Sequence, residues 1–152
     1  MAADPRVFLD TSVLFAAVLS ETGGARLILK LGETGAVQLW VGRSVLQEVD
    51  AVLARKAAQS RELLALLLDR ARISVGPAAN EAALAQAGAV VTYPPDAHIL
   101  AEALATEADY LVSLDREHLV GNPRASELPF PIGTPGDFLA WFRARLPEST
   151  DE

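Results

Sequence analysis

Short apolar runs alternate with longer stretches of helical period along this chain. Arg6 to Leu9 is brief, apolar and rich in β-branched and aromatic side chains, so it predicts a strand, ended by Asp10. Thr11 or Ser12 can cap a helix that Val13 to Leu19 continues. Gly23-Gly24 breaks the chain, and Ala25 to Gly32 predicts a second helix with Leu27, Ile28 and Leu31 on one face. Val37 to Val41 is a second strand. Gly42-Arg43 turns it, and Ser44 caps a third helix to about Lys56, with Val45, Leu46, Val49, Val52 and Leu53 at helical spacing. A Leu-rich fourth helix covers Arg61 to Arg70, and Ile73 to Val75 is a brief strand. Asn80 to Gly88 has helical composition, while Val90 to Tyr93 reads equally as strand or loop. Pro94-Pro95 fixes the start of a helix to about Glu107, with Ile99, Leu100, Ala103 and Leu104 inward. Tyr110 to Leu114 is a strand ended by Asp115. Phe130 to Gly133 is the last strand, and Pro135 starts a final helix carrying Phe138, Leu139 and Phe142.

Strands alternating with helices predict a three-layer α/β/α fold, with a central parallel sheet of four to five strands covered on both faces. Residues 1–146 are expected to form a single domain and 147–152 a flexible polar tail. A chain of 152 residues, 51% apolar and 22% charged, is long enough to bury a real core. No apolar run approaches the roughly 18 residues of a membrane span. The first residues lack a basic patch followed by an apolar stretch, so a cytoplasmic location is expected. The absence of cysteine excludes disulfides, thiol nucleophiles and Cys-based zinc sites. The two histidines, His98 and His118, are too few and too far apart for a His-rich metal site.

Charge sharpens the picture. The net charge of −7 argues against non-specific nucleic-acid binding by the whole surface. Residues 1–72 carry a balance of +1 and residues 73–152 a balance of −8. The basic residues Arg43, Arg55, Lys56, Arg61, Arg70 and Arg72 lie among Glu48, Asp50, Glu62 and Asp69, which is the composition of solvated helix faces.

Four acids occupy special places. Asp10 and Asp115 each leave an apolar strand, and the carboxyl edge of an open parallel sheet is where such folds place their sites. Glu48 and Asp96 lie in early turns of helices that follow or face that edge, where the helix dipole favours carboxylates. Taken singly, each acid is an ordinary cap, turn or solvated residue. Gathered together they would repel one another unless a cation joined them, which points to one or two Mg²⁺ or Mn²⁺ ions and phosphodiester chemistry. Ser12 and Ser113 stand beside two of the acids and offer hydroxyls to orient them.

The ordered set of motifs resembles the PIN-domain ribonucleases, specifically the VapC-type toxins of type II toxin–antitoxin pairs. Leu9-Asp10-Thr11-Ser12-Val13-Leu14 is similar to the first acidic motif, Ser44 through Val49 to the second, Asp96-Ala97-His98-Ile99-Leu100-Ala101 to the third, and Ala108 through Asp115 to the fourth. The closing Ile132 to Leu139 is similar to the last strand and helix, so the resemblance runs from Val7 to about Phe142. It implies catalytic Asp10, Glu48, Asp96 and Asp115, with Asp10, Asp96 and Asp115 as metal ligands and Ser12 and Ser113 supporting them. It further implies RNA hydrolysis, a homodimer and a cognate antitoxin. Two departures stand out: Pro94-Pro95 replaces an extra acid common before the third motif, and Glu107 stands where relatives often have Gly.

The expectation is therefore a metal-dependent endoribonuclease. The competing expectation is a catalytically idle module with the same fold that binds protein or RNA. Other carboxylate-edge folds lack their marks. Position 12 is Ser where an Asp-nucleophile phosphotransferase needs a second Asp, and Lys30 and Lys56 do not follow a late strand as a receiver domain requires. No glycine-rich phosphate loop and no nucleophile elbow is present. Trp40 and Trp141 read as core or dimer contacts and His98 as a rim residue.

Overall fold

The computed structural model describes residues 4–147, so the tail expected beyond Pro147 lies outside the described residues. Five parallel strands form the central sheet: β1 (Arg6–Leu9), β2 (Gln38–Val41), β3 (Ser74–Val75), β4 (Tyr110–Val112) and β5 (Ile132–Gly133), in the order β3-β2-β1-β4-β5. Seven α-helices flank it: α1 (Thr11–Leu19), α2 (Gly24–Glu33), α3 (Arg43–Lys56), α4 (Arg61–Arg70), α5 (Glu81–Val90), α6 (Pro94–Ala105) and α7 (Pro135–Arg145). The architecture is the three-layer α/β/α arrangement that the alternating pattern predicts. Among the described residues no single helix is long and apolar enough to cross a membrane.

Burial explains why the central strands read as continuous apolar runs. Val7, Phe8 and Leu9 on β1 and Leu111 and Val112 on β4 are fully buried, as parallel strands with helices on both faces must be. Register is fixed by Val7 opposite Tyr110 and Leu9 opposite Val112. The ladder continues past the strands, with the Asp10 N–H donating to the Val112 carbonyl at 3.0 Å. This aligns residue 10 with residue 113 at the strand ends.

The order of the strands decides where a site can form. From β1 the chain steps outward through β2 and β3, then returns to the other side of β1 as β4 and continues to β5. The reversal makes the carboxyl ends of β1 and β4 the switch point of the sheet, the position at which open α/β folds place their sites.

Local chemistry shifts several helix starts from their sequence expectation. Asp10, not Thr11 or Ser12, caps α1: its Oδ1 accepts from the Thr11 N–H at 2.7 Å. A carboxylate already at the strand end outcompetes the hydroxyls. Ser44 does not cap α3, which begins at Arg43 after Gly42. The Ser44 N–H and hydroxyl instead both donate to Glu102 Oε2, at 3.3 and 3.2 Å. Gly42 is required there, because a Cβ would collide with the Glu102 carboxyl group. Val90 closes α5, and Val91 and Thr92 form a loop, which resolves the ambiguous 90–93 segment.

The last helix is the best capped. Thr134 accepts from the Asp137 N–H at 3.1 Å and Asp137 accepts from the Thr134 N–H at 3.0 Å, a reciprocal capping box with Pro135 at the first helical position. The Thr134 bonds also hold the Asp137 carboxyl below its ordinary range. Replacing Thr134 by Ala is expected to cost about 1 kcal/mol, a melting temperature lower by about 3 °C, in thermal denaturation followed by circular dichroism.

Candidate metal centre

Asp10 is the best-held of the acids. It is buried, and its Oδ2 accepts from Ser113 Oγ at 2.6 Å and from Ser12 Oγ at 3.0 Å. Each hydroxyl in turn accepts a backbone N–H from the β4 end: Leu114 donates to Ser12 Oγ and Asp115 to Ser113 Oγ, both at 3.0 Å. Two serine bridges thus tie the carboxylate leaving β1 to the turn leaving β4. Burial raises the Asp10 pKa, against the bonds from Ser113, Ser12 and Thr11, and the Asp115 charge adds to the rise.

Asp96 reaches the same edge from the first turn of α6. Burial pushes its carboxyl up to about 7, helped by the neighbouring Asp115 carboxyl and by the charge of Asp10. Asp115 behaves oppositely. Burial works against its ionisation, yet the bond from Asp96 and the N–H groups of His118 and Glu117 hold it below the ordinary carboxylate range. The pair therefore keeps one proton in common until near-neutral pH, the usual outcome when two carboxylates crowd one site.

His118 completes the group. Its Nδ1 lies 2.9 Å from Asp96 Oδ2 and 3.3 Å from Asp115 Oδ2. Ligand atoms from Asp96, Asp115 and His118 all lie within 4.8 Å of one another. Asp96 Oδ2 is buried and makes no hydrogen bond, its close neighbour being the His118 ring nitrogen 2.9 Å away, so the two are placed to share a cation. Two carboxylates and one imidazole, with a third carboxylate at their edge, form a donor set that fits a divalent ion.

The structure thus brings Asp10, Asp96 and Asp115 to one edge, with Ser12 and Ser113 bonded to Asp10. Glu48 is placed differently: it is exposed on α3 and belongs neither to the close group of ligand atoms nor, among the described residues, to any hydrogen bond or ion pair. His118 carries no mark of a His-rich site in the sequence, whereas a mixed site needs only one imidazole. The usable signal was its spacing three residues after Asp115, which in a tight turn folds the ring back over the acid. Glu102 was also missed. It interrupts the apolar run of α6, is only 3% exposed, and receives the two Ser44 bonds, with His98 Nε2 3.9 Å away. Trp141 packs against Tyr110 and Phe138, and Arg6 lies over Trp40.

A pH dependence follows from these shifts. The Asp96 pKa is 3.8 ordinarily and about 7 here, so between those values the folded state binds more protons than the unfolded. The ion-free protein is therefore expected to lose stability as pH rises from about 4 to about 7. The raised Asp10 acts in the same direction, while the Asp115 shift acts only below the ordinary carboxylate range. A divalent ion should reverse the trend by competing with the shared proton, giving a larger thermal shift at the higher pH. Melting curves across this range, with and without added ion, check both signs.

A parallel α/β sheet with acids at the switch point and an ion-ready donor set defines a class of phosphodiester-handling proteins. The family model described as PIN domain matches residues 6–117, most of the chain, and the protein belongs to that family. PIN domains are generally nucleases. Among solved structures the chain is similar to one in VapBC2 from Rickettsia felis bound to a DNA fragment from their promoter. The TM-score is 0.60 and the identity 17%, covering 84% of this chain and 96% of that one, which shows a shared fold. No curated protein matches the chain at a significant level.

Proposed function

We propose that this protein is a Mg²⁺- or Mn²⁺-dependent endoribonuclease, the toxin of a toxin–antitoxin pair, and that it acts in the cytoplasm. The observation that carries the reading is the meeting of Asp10, Asp96, Asp115 and His118 beyond the carboxyl ends of β1 and β4. The similarity to a chain of VapBC2 supports the toxin assignment and an antitoxin partner. A homodimer is the assembly proposed with it.

The residues would divide the work as follows. Asp96, Asp115 and Asp10, with His118 beside them, would hold the ion, which when bound would supply charge neutralisation at the phosphodiester and acidify attacking water. Asp10 is fixed by its two serine bridges, so its oxygens need no rearrangement when substrate arrives. Asp96 would give up its proton as an ion is taken up, so loading of the site would be favoured as pH rises. Glu48, exposed on α3, would be the fourth acid of the centre.

The test is cleavage of a panel of structured RNAs and single-stranded DNA with Mg²⁺, with Mn²⁺ and with chelator, beside the Asp10→Asn variant. Metal-dependent RNA cutting lost in the variant is the expected result. Unchanged cutting by the variant would overturn the assignment of the site. A folded protein that cuts nothing and gains no stability from divalent ions would instead be an idle binding module.

A further inference from the structure

A half-exposed aromatic ring stands at the rim of the acid cluster. Tyr93 stacks on His118 with centroids 4.6 Å apart and planes 11° from parallel, yet remains 48% exposed. His118 is in turn within 2.9 Å of Asp96 and 3.3 Å of Asp115. One imidazole therefore links the ring to two of the groups that hold the ion. His118 is the only aromatic stacking partner of Tyr93 among the described residues, so one face of the phenol is backed while about half of the residue stays open to solvent.

The backbone makes this placement rigid. Tyr93 precedes Pro94-Pro95, and a residue before proline is confined to extended conformations; here φ is −73° and ψ 112°. Its carbonyl accepts the Ala97 N–H at 3.0 Å, locking it to the first turn of α6. A side chain with two torsions, on a backbone held from both sides, loses little freedom when something stacks on it.

We propose that Tyr93 is the stacking platform for the nucleobase next to the scissile phosphate of a single-stranded RNA. The proposal rests on the ribonuclease reading above. An acidic centre on a chain of net charge −7 repels a polyanion, so the substrate must be held by the ion and by contacts that need no opposite charge. Base stacking on an aromatic ring is such a contact, and it tolerates any base because every base has a π face. Only a splayed, unpaired base can present that face, so the platform selects single-stranded segments and loops.

The experiment compares the unaltered protein with Tyr93→Ala and Tyr93→Phe. Each is given a single-stranded RNA and the same RNA with an abasic residue beside the cut. Tyr93→Ala is expected to raise KM about ten-fold with kcat within about two-fold, while Tyr93→Phe matches the unaltered protein. The abasic RNA should raise KM for the unaltered protein and erase its advantage over Tyr93→Ala. The thermal shift produced by divalent ion should be the same in all three. Equal KM values on intact RNA would overturn the platform and leave the nuclease intact. A fall in kcat with a weakened ion response would also overturn it, because the ring would then merely brace His118. Failure of the unaltered protein to cut or bind any RNA would overturn the ribonuclease reading and the platform with it.

Discussion

Replacing Asp96 by Asn is expected to lower metal-dependent cleavage by on the order of 10³-fold while raising the melting temperature of the ion-free protein. The two effects have one cause. Asp96 is the carboxyl whose ionisation is most opposed, by burial first and by the charges of Asp115 and Asp10 after it. Where an ion is bound, that crowding is what holds it. Where none is bound, the crowding is unrelieved repulsion once pH exceeds about 7. An amide is nearly the same size, carries no charge and can donate to Asp115 in place of the shared proton. The variant should therefore be inert, unresponsive to divalent ions, and stable at a pH where the unaltered protein has softened. Parallel cleavage assays and melting curves read all three. An inert variant of lowered stability would mean that Asp96 supports the fold, and the metal assignment would lose its physical basis.

The largest loss of stability is expected from Phe138→Ala, about 3–5 kcal/mol. The ring is fully buried and is the hub of an aromatic cluster that docks α7 on β4 and β5. Its centroid lies 5.1 Å from that of Tyr110, edge to face, 5.7 Å from Trp141 and 6.0 Å from Phe142. Gly133 on β5 lets this layer close, because a Cβ there would strike the Tyr110 hydroxyl and come within 2.7 Å of Asp137 Cβ. The cavity left by the ring could not collapse readily between a strand pair at such close approach. A loss of this size is a large share of the 5–15 kcal/mol typical of a domain, and would lower the melting temperature by about 10 °C. Urea or thermal unfolding measures it directly. A loss under about 1 kcal/mol would mean that the cluster repacks around the gap.

The sheet and most helices were legible from periodicity because buried parallel strands leave continuous apolar runs such as Val7-Phe8-Leu9 and Tyr110-Leu111-Val112. Helix boundaries were less so. Caps are decided by competition among nearby oxygens, and Asp10 won over Thr11 and Ser12 through a geometry that only the strand end provides. Ser44 reads as a cap by residue type, but its donors go to Glu102, a residue 58 positions away. Of the centre, the strand-end acids and the serines beside them could be read from the chain, because each follows an apolar run directly. His118 could not be weighed, since its value depends on the turn after Asp115 bringing Nδ1 back to two carboxylates. Glu48 is marked by motif order and by its place in an early turn of α3, and its exposed position shows how little local sequence says about where a long side chain will rest.

The serine bridge from Ser113 to Asp10 joins groups 103 positions apart in the chain. A nascent polypeptide still held by the ribosome can already pair β1 with β2 and β2 with β3, but its centre cannot assemble until β4 and the turn behind it have emerged. The centre is therefore a late product of the chain: its donors come together only once segments 103 positions apart are both present.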